Sequence, residues 1–306
     1  AARRPSTLSP GERQRREARL LAGAPAARSA LPRRDPAAPV PLSPPQQRLW
    51  FLHQLVPDSA VYHIPLAVRL SGPLDVDALR RSFELIVHRH EALRTAIVVE
   101  DGEPRQRIAP IGPFALPVDP WPDGDDAALE RAALREAQQL FDLERGPLMR
   151  ARLFRRSADE HLLVLTHHHL ISDGWSIGVL ARELDATYAA LRAGRAPALP
   201  PLPVQYGDYA VWQRERLGGP ELQAQPAYWM ERLAGAPAAL TMPIDRPRPP
   251  IQSFAGADVR FTVGPDVTDG LRALARRQGA TLYMTLLAAF QVLLARHAGQ
   301  DEVLVG

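Results

Sequence analysis

Thr166-His167-His168-His169-Leu170-Ile171-Ser172-Asp173-Gly174-Trp175-Ser176 is the stretch from which the fold is read. An apolar run, His161 to Thr166, has strand character and leads into three histidines. A short turn follows, and then a helix, Trp175 to Leu191, in which Val179, Leu180, Leu184 and Tyr188 keep helical spacing. Side chains alternate along a strand, so His167 and His169 share one face and His168 takes the other. Ser172 or Asp173 can cap the helix, and Gly174 permits a tight backbone approach.

Working outward, Met149 to Phe154 reads as a neighbouring strand and Asp125 to Phe141 as a helix. Thr95 to Val99 and Arg105 to Ile108 flank Asp101-Gly102, a hairpin signal. Tyr62 to Leu70 is a strand ended by Ser71-Gly72-Pro73. Asp75 then caps a helix with apolar positions Val76, Leu79, Phe83, Ile86 and Val87. Downstream of a proline-rich break at Ala193 to Pro203, helices are expected at Tyr206–Arg216, Glu221–Leu233, Asp266–Gln278 and Leu282–Arg296. Strands are expected at Ala257–Val263 and Val303–Val305. A terminal apolar strand with nothing to turn into reads as a domain cut short.

The 306 residues, 46% apolar and 23% charged, suffice for one large domain or two modest ones. No run of about 18 apolar residues is present, which excludes a membrane span, and the N-terminus lacks a secretory core. Cysteine is absent, so disulfide, thiol and thiolate-metal chemistry are excluded, and a cytoplasmic location fits. All 37 basic residues are arginine, so Schiff-base and P-loop chemistry are excluded as well. Residues 1–40 carry a net +6 and the remainder −3. This proline-, alanine- and arginine-rich arm, with a short helix expected over Leu8–Leu21, reads as a solvated linker. No aromatic residue interleaves its arginines, which argues against nucleic-acid binding.

Three readings of the histidine run compete. His167 and His169 could bind a metal as a His-x-His pair, but no carboxylate stands at a convincing spacing for a third ligand. The histidines could be polar residues satisfied within a core. Alternatively, a histidine at a strand end beside a helix N-terminus is placed for proton transfer near neutral pH, with backbone N–H groups at hand for an oxyanion.

His168-His169-Leu170-Ile171-Ser172-Asp173-Gly174 resembles the HHxxxDG signature of nonribosomal peptide synthetase condensation domains, relatives of chloramphenicol acetyltransferase. Three further segments resemble family motifs in the same order. Ser43 to Leu52 is similar to SxAQxRLWFL, with Pro45 in place of Ala. Arg89 to Ile97 is similar to RHExLRTxF, with Ile97 in place of Phe. Tyr206 to Gln213 is similar to YxDFAVWQ, with Tyr209 in place of Phe. The resemblance covers about residues 41–306.

It implies a chloramphenicol-acetyltransferase-like, two-lobed α/β fold: a lead-in arm at 1–40, an N-terminal lobe at 41–200, and the start of a C-terminal lobe at 201–306, the second lobe incomplete. It implies peptide-bond formation between an acyl or peptidyl thioester donor and an aminoacyl thioester acceptor, both held on carrier-protein phosphopantetheine. It implies no directly bound cofactor or metal. The implied partners are upstream and downstream peptidyl carrier domains and an adjacent adenylation domain, with neither nucleic acid nor membrane. By resemblance His169 is the catalytic histidine, supported by His168, Asp173 and Gly174. Asp173 is expected to pair with Arg94, and Ser43, Gln46, Arg48, Trp175 and Ser176 to support the site. His90 and Trp212 read as packing residues. The run Ser172 to Leu180 looks like domains joining an L-configured donor to an L-acceptor. Three rivals are a free-standing CoA-dependent acyltransferase, a non-catalytic recruitment domain, and a nucleic-acid-binding role for the basic arm. With the second lobe incomplete, the isolated chain is expected to be weak or inactive and to expose an apolar sheet edge.

Overall fold

A computed structural model describes residues 31–122, 125–218, 220–247, 249, 250, 252, 254, 256, 257 and 259–305. The helix expected over Leu8–Leu21 lies outside the described residues. The chain divides into two compact units, one ending at Leu217 and one beginning at Gly218.

The first unit is built on two sheets. A four-stranded sheet has the order β2 (His63–Ser71), β7 (Glu160–His168), β6 (Met149–Arg155), β5 (Val118–Pro120). Its pairs are antiparallel except β5–β6. A three-stranded sheet has the order β1 (Val40–Pro41), β4 (Glu103–Ile108), β3 (Thr95–Glu100). The β3–β4 hairpin turns at Asp101 and Gly102, both at positive φ (53° and 80°). That conformation matches strand twist and suits an Asp-Gly pair. Helices α1 (Pro44–Leu55), α2 (Val76–Arg89), α3 (Asp126–Gln138), α4 (Gly174–Arg192) and α5 (Tyr206–Leu217) complete the unit, with a 3-10 turn at Glu91–Arg94.

Strand β7 organises the core because it is central and covered on both faces. Every residue from His161 to His168 is buried. A strand buried on both faces reads as a nearly unbroken apolar run, as this one does. Leu163 and Leu165 join the larger core with Phe83, Ile86, Ile97, Leu148 and Leu153. Leu162 and Val164, on the other face, pack with Trp121, Leu129 and Phe154. Each fully buried leucine or phenylalanine contributes about 1.5–3 kcal/mol of transfer free energy. The strand is therefore held from both sides, and what stands at its end is fixed with it.

Several expectations need correction. Residues 40–55 hold a short strand and a full helix, although the sequence reading assigned no helix there. Pro44 and Pro45 lie in the first turn of α1, where proline removes no needed donor. The chain before residue 41 is not a solvated linker throughout. Arg34, with its side chain 11% exposed, forms ion pairs with Glu91 (2.9 Å) and Asp208 (2.8 Å). A Cβ on Gly207 would stand 3.0 Å from the Arg34 guanidinium, so glycine lets that side chain pass.

The second unit contains α6 (Pro220–Arg232), α7 (Pro265–Arg277) and α8 (Leu282–Ala298). α7 packs on α8. The strands expected at 257–263 and 303–305 are not formed among the described residues. β-Branched composition does not make a strand without a ladder partner, and none of the described residues supplies one. The exposed apolar surface of this unit accordingly lies on helix α8, none of whose residues is buried, and on non-helical residues such as Val259 and Phe261, not on a sheet edge. No single helix among the described residues is long and apolar enough to cross a membrane.

Candidate active site

Strand β7 reaches two residues further than the sequence suggested and takes in His167 and His168. The His168 N–H donates to Leu148 O (2.9 Å) and the His169 N–H to Tyr62 O (2.8 Å), so the ladder fixes the backbone up to the turn. The turn closes where the Ile171 N–H meets His168 O at 3.1 Å.

Helix α1 braces this turn. Ser43 caps α1 in a reciprocal capping box: its hydroxyl accepts from the Gln46 N–H while Gln46 Oε1 accepts from the Ser43 N–H. The buried Gln46 amide then donates to Leu170 O (3.2 Å), tying the cap to the loop after the histidines. The Ser43 hydroxyl also meets the Tyr206 hydroxyl at 2.9 Å, and burial raises the Tyr206 pKa. One serine thus links two of the quoted segments.

The three histidines occupy three environments. His168 is buried against His63 and Phe141, and its Nδ1 accepts the Leu170 N–H (3.1 Å). Burial, with His63 adding repulsion, pushes its pKa down to about 3. His167 is fully buried with neither ring nitrogen hydrogen-bonded, and burial lowers it to about 4. Both rings are uncharged at neutral pH. His169 is exposed, and its Nδ1 lies 3.0 Å from Ser172 O. A carbonyl can only accept, so Nδ1 carries the proton, and the uncharged tautomer compatible with this bond has its lone pair on Nε2. That tautomer is a base ready to take a proton.

A cavity of about 610 Å³ opens beside these groups. Its lining includes His167 and His169 but not His168, as strand alternation requires, together with Arg48, Asp173, Trp175 and Ser176. Asp173 caps α4, accepting from the Ser176 N–H (2.8 Å) and hydroxyl (2.6 Å). Those bonds hold its carboxyl below the usual range. The expected ion pair between Asp173 and Arg94 does not form. Arg94 ends the 3-10 turn and donates to Ala109 O (2.5 Å), with Glu91 at 4.0 Å. Gly174 meets no close backbone: a Cβ there would find nothing within 4 Å, so the tight approach expected of it is not made. Trp175 is 83% exposed, and Arg48 is exposed at the cavity wall. Among the described residues no group of three His, Asp or Glu is arranged to hold a metal.

Two features escaped the sequence reading. His90, read as a packing residue, lines the cavity with its Nε2 2.6 Å from Glu183, and Arg89 holds the other carboxylate oxygen at 3.1 Å. Their separation of 93 positions hides the pair. Arg34 looked like every other arginine of the arm.

The condensation-domain family profile matches residues 37–306. The chain belongs to the condensation-domain family. It is 46% identical over 271 residues to a subunit of linear gramicidin synthase from Brevibacillus parabrevis, covering 87% of this chain and 4% of that protein. It is 43% identical over 312 residues to phosphinothricin tripeptide synthetase PhsC of Streptomyces viridochromogenes, covering 98% of this chain and 28% of that one. Among solved structures, the X-domain from teicoplanin biosynthesis, in complex with OxyB, superposes with a TM-score of 0.77 at 34% identity. That match covers 90% of this chain and 61% of the X-domain chain. This condensation domain has the chloramphenicol-acetyltransferase-like α/β fold of those relatives. It spans a small part of the curated synthetases and about three fifths of the solved chain.

Proposed function

We propose that this condensation domain forms peptide bonds in nonribosomal peptide synthesis. The donor is an acyl or peptidyl thioester on a carrier protein, and the acceptor is the α-amine of an aminoacyl thioester on a second carrier. The reading extends to phosphopantetheine-tethered substrates, a neighbouring adenylation domain, an L-donor and L-acceptor pairing, and a cytoplasmic site of action. The observation that carries it is His169: an imidazole on an open cavity wall, with its Nδ1 proton anchored on Ser172 O and its Nε2 lone pair free for substrate.

The acceptor nitrogen attacks the thioester carbon, making a C–N bond and a tetrahedral oxyanion. His169 Nε2 takes the proton that the nitrogen, now positive, must lose. Collapse breaks the C–S bond, and the departing thiolate is protonated as the thiol. An α-amine has a pKa of about 7.7–8.0, so only modest proton assistance is needed. Asp173 acts through Ser176 to set the start of α4, which leaves the space at Gly174 open for the tethered arms.

The test is His169→Ala in the chain with its second lobe completed as in the longer relatives, assayed for amide formation with loaded donor and acceptor carrier proteins. Loss of general-base help lowers the rate by about 10²–10⁴-fold. An unchanged rate overturns the proposal. A second reading, a non-catalytic platform that recruits another protein, draws on the teicoplanin X-domain having been solved in complex with OxyB. It predicts no amide product from the wild-type chain and carrier substrates, and no effect of His169→Ala on partner binding.

A further inference from the structure

His167 is the costliest side chain on the cavity wall. It is fully buried, and neither ring nitrogen has a partner. Leaving a buried donor and acceptor unpaired destabilises a fold, whereas an apolar replacement of similar shape does not. The same strand face carries Leu163 and Leu165 a few residues earlier, so an apolar residue would suit position 167 as packing. The imidazole is instead kept on the strand face that borders the cavity His169 lines, closed from it at rest, so that a shift of the wall admits a ligand to its ring nitrogens. Its neighbour His168, on the other face, has its Nδ1 satisfied by the Leu170 N–H.

An uncharged imidazole offers one N–H donor and one lone pair. A secondary amide offers the complement, one C=O and one N–H. Two residues along a strand span about 6.7 Å. In a pantetheine thioester the nearest amide nitrogen lies four bonds from the reacting carbon, roughly 5 Å when extended. An α-amide of a peptidyl donor lies at a similar or shorter reach. A thioester held at His169 therefore brings an amide to His167.

We propose that His167 is a positioning residue that hydrogen-bonds a secondary amide of the tethered substrate and so registers the thioester against His169. This rests on the peptide-bond-forming reading above. Its two possible amides, in the arm or in the acyl group, share one chemistry.

The experiment uses the chain with its second lobe completed as in the longer relatives, and small thioester donors in four forms, each with or without the cysteamine amide and with or without an α-amide. His167→Leu is compared with wild type for KM, kcat and melting temperature. The expected result is a KM raised about tenfold for donors carrying the bonded amide, little change in kcat, and no loss of melting temperature. The source of the amide is the one whose removal erases the difference between variant and wild type. His167→Gln, which keeps a donor and an acceptor, recovers part of the KM. His167→Phe repeats the measurement with a ring if the leucine variant does not fold. Equal KM changes across all four donors, or none, overturn the inference while leaving the reaction in place. No amide product from wild type overturns both.

Discussion

Strand β7 and helix α8 make an instructive pair. The strand has four titratable residues among nine, the helix only three among seventeen. By composition the helix belongs inside and the strand should be the more tolerant of water. The structure has them the other way round: β7 is buried from His161 onward, and no residue of α8 is. Burial is set by the surfaces an element is offered, and β7 is offered two, the large core and the face beneath α3. α8 is held by local devices instead. Thr281 caps its start, accepting the Met284 N–H, and Gly299 ends it in the left-handed conformation at φ 64°.

The contrast can be pressed hardest with leucines. Leu165→Ala, at a site 3% exposed, is expected to cost about 2–5 kcal/mol, whereas Leu293→Ala on α8, 52% exposed, costs under about 0.5 kcal/mol. Urea unfolding measures both, and equal costs would end the comparison. The pH dependence of stability comes next. His167 and His168 are held neutral by burial, down to about 4 and about 3, while an unfolded histidine titrates near 6.5. Below that pH the unfolded chain binds the more protons. Stability therefore falls as pH drops from about 6.5 toward 4, by up to about 1.4 kcal/mol per pH unit for each ring. His167→Leu removes its share of that slope, a result read from unfolding curves at about pH 7, 6 and 5. The smallest effect concerns the caps, where the two regions should behave alike. Asp173→Ala and Thr281→Ala each cost about 1 kcal/mol, because a cap acts on its own first turn whatever the helix packs against. Helix content and melting temperature check this.

What the sequence disclosed followed from local rules. The alternation of β7, the Asp101-Gly102 hairpin and the Asp75 and Asp173 caps involve residues a few positions apart, and each is found where its pattern pointed. Helix α1 was missed because Pro44-Pro45 suggests a break, although Ser43 and Gln46 stand at capping-box spacing. Residues 257–263 and 303–305 failed in the opposite sense: their composition favours a strand, but a strand exists only in a ladder. In the site, the adjacency of three histidines was plain, while their different fates were not. Which ring is buried, satisfied or open depends on Gln46, Leu170, Ser172 and the covering core. The His90–Glu183 pair and the Arg34 anchor join positions far apart in the chain, and no local spacing signals them.

Arg34 has a practical side for anyone handling this polypeptide. The family profile begins at residue 37, which invites an expression boundary there. Such a cut removes the guanidinium that now sits between Glu91 and Asp208 and leaves two carboxylates confronting each other where a cation had reconciled them. The 3-10 turn and helix α5 would then repel at the seam that keeps them together. A clone begun a few codons upstream keeps its clasp.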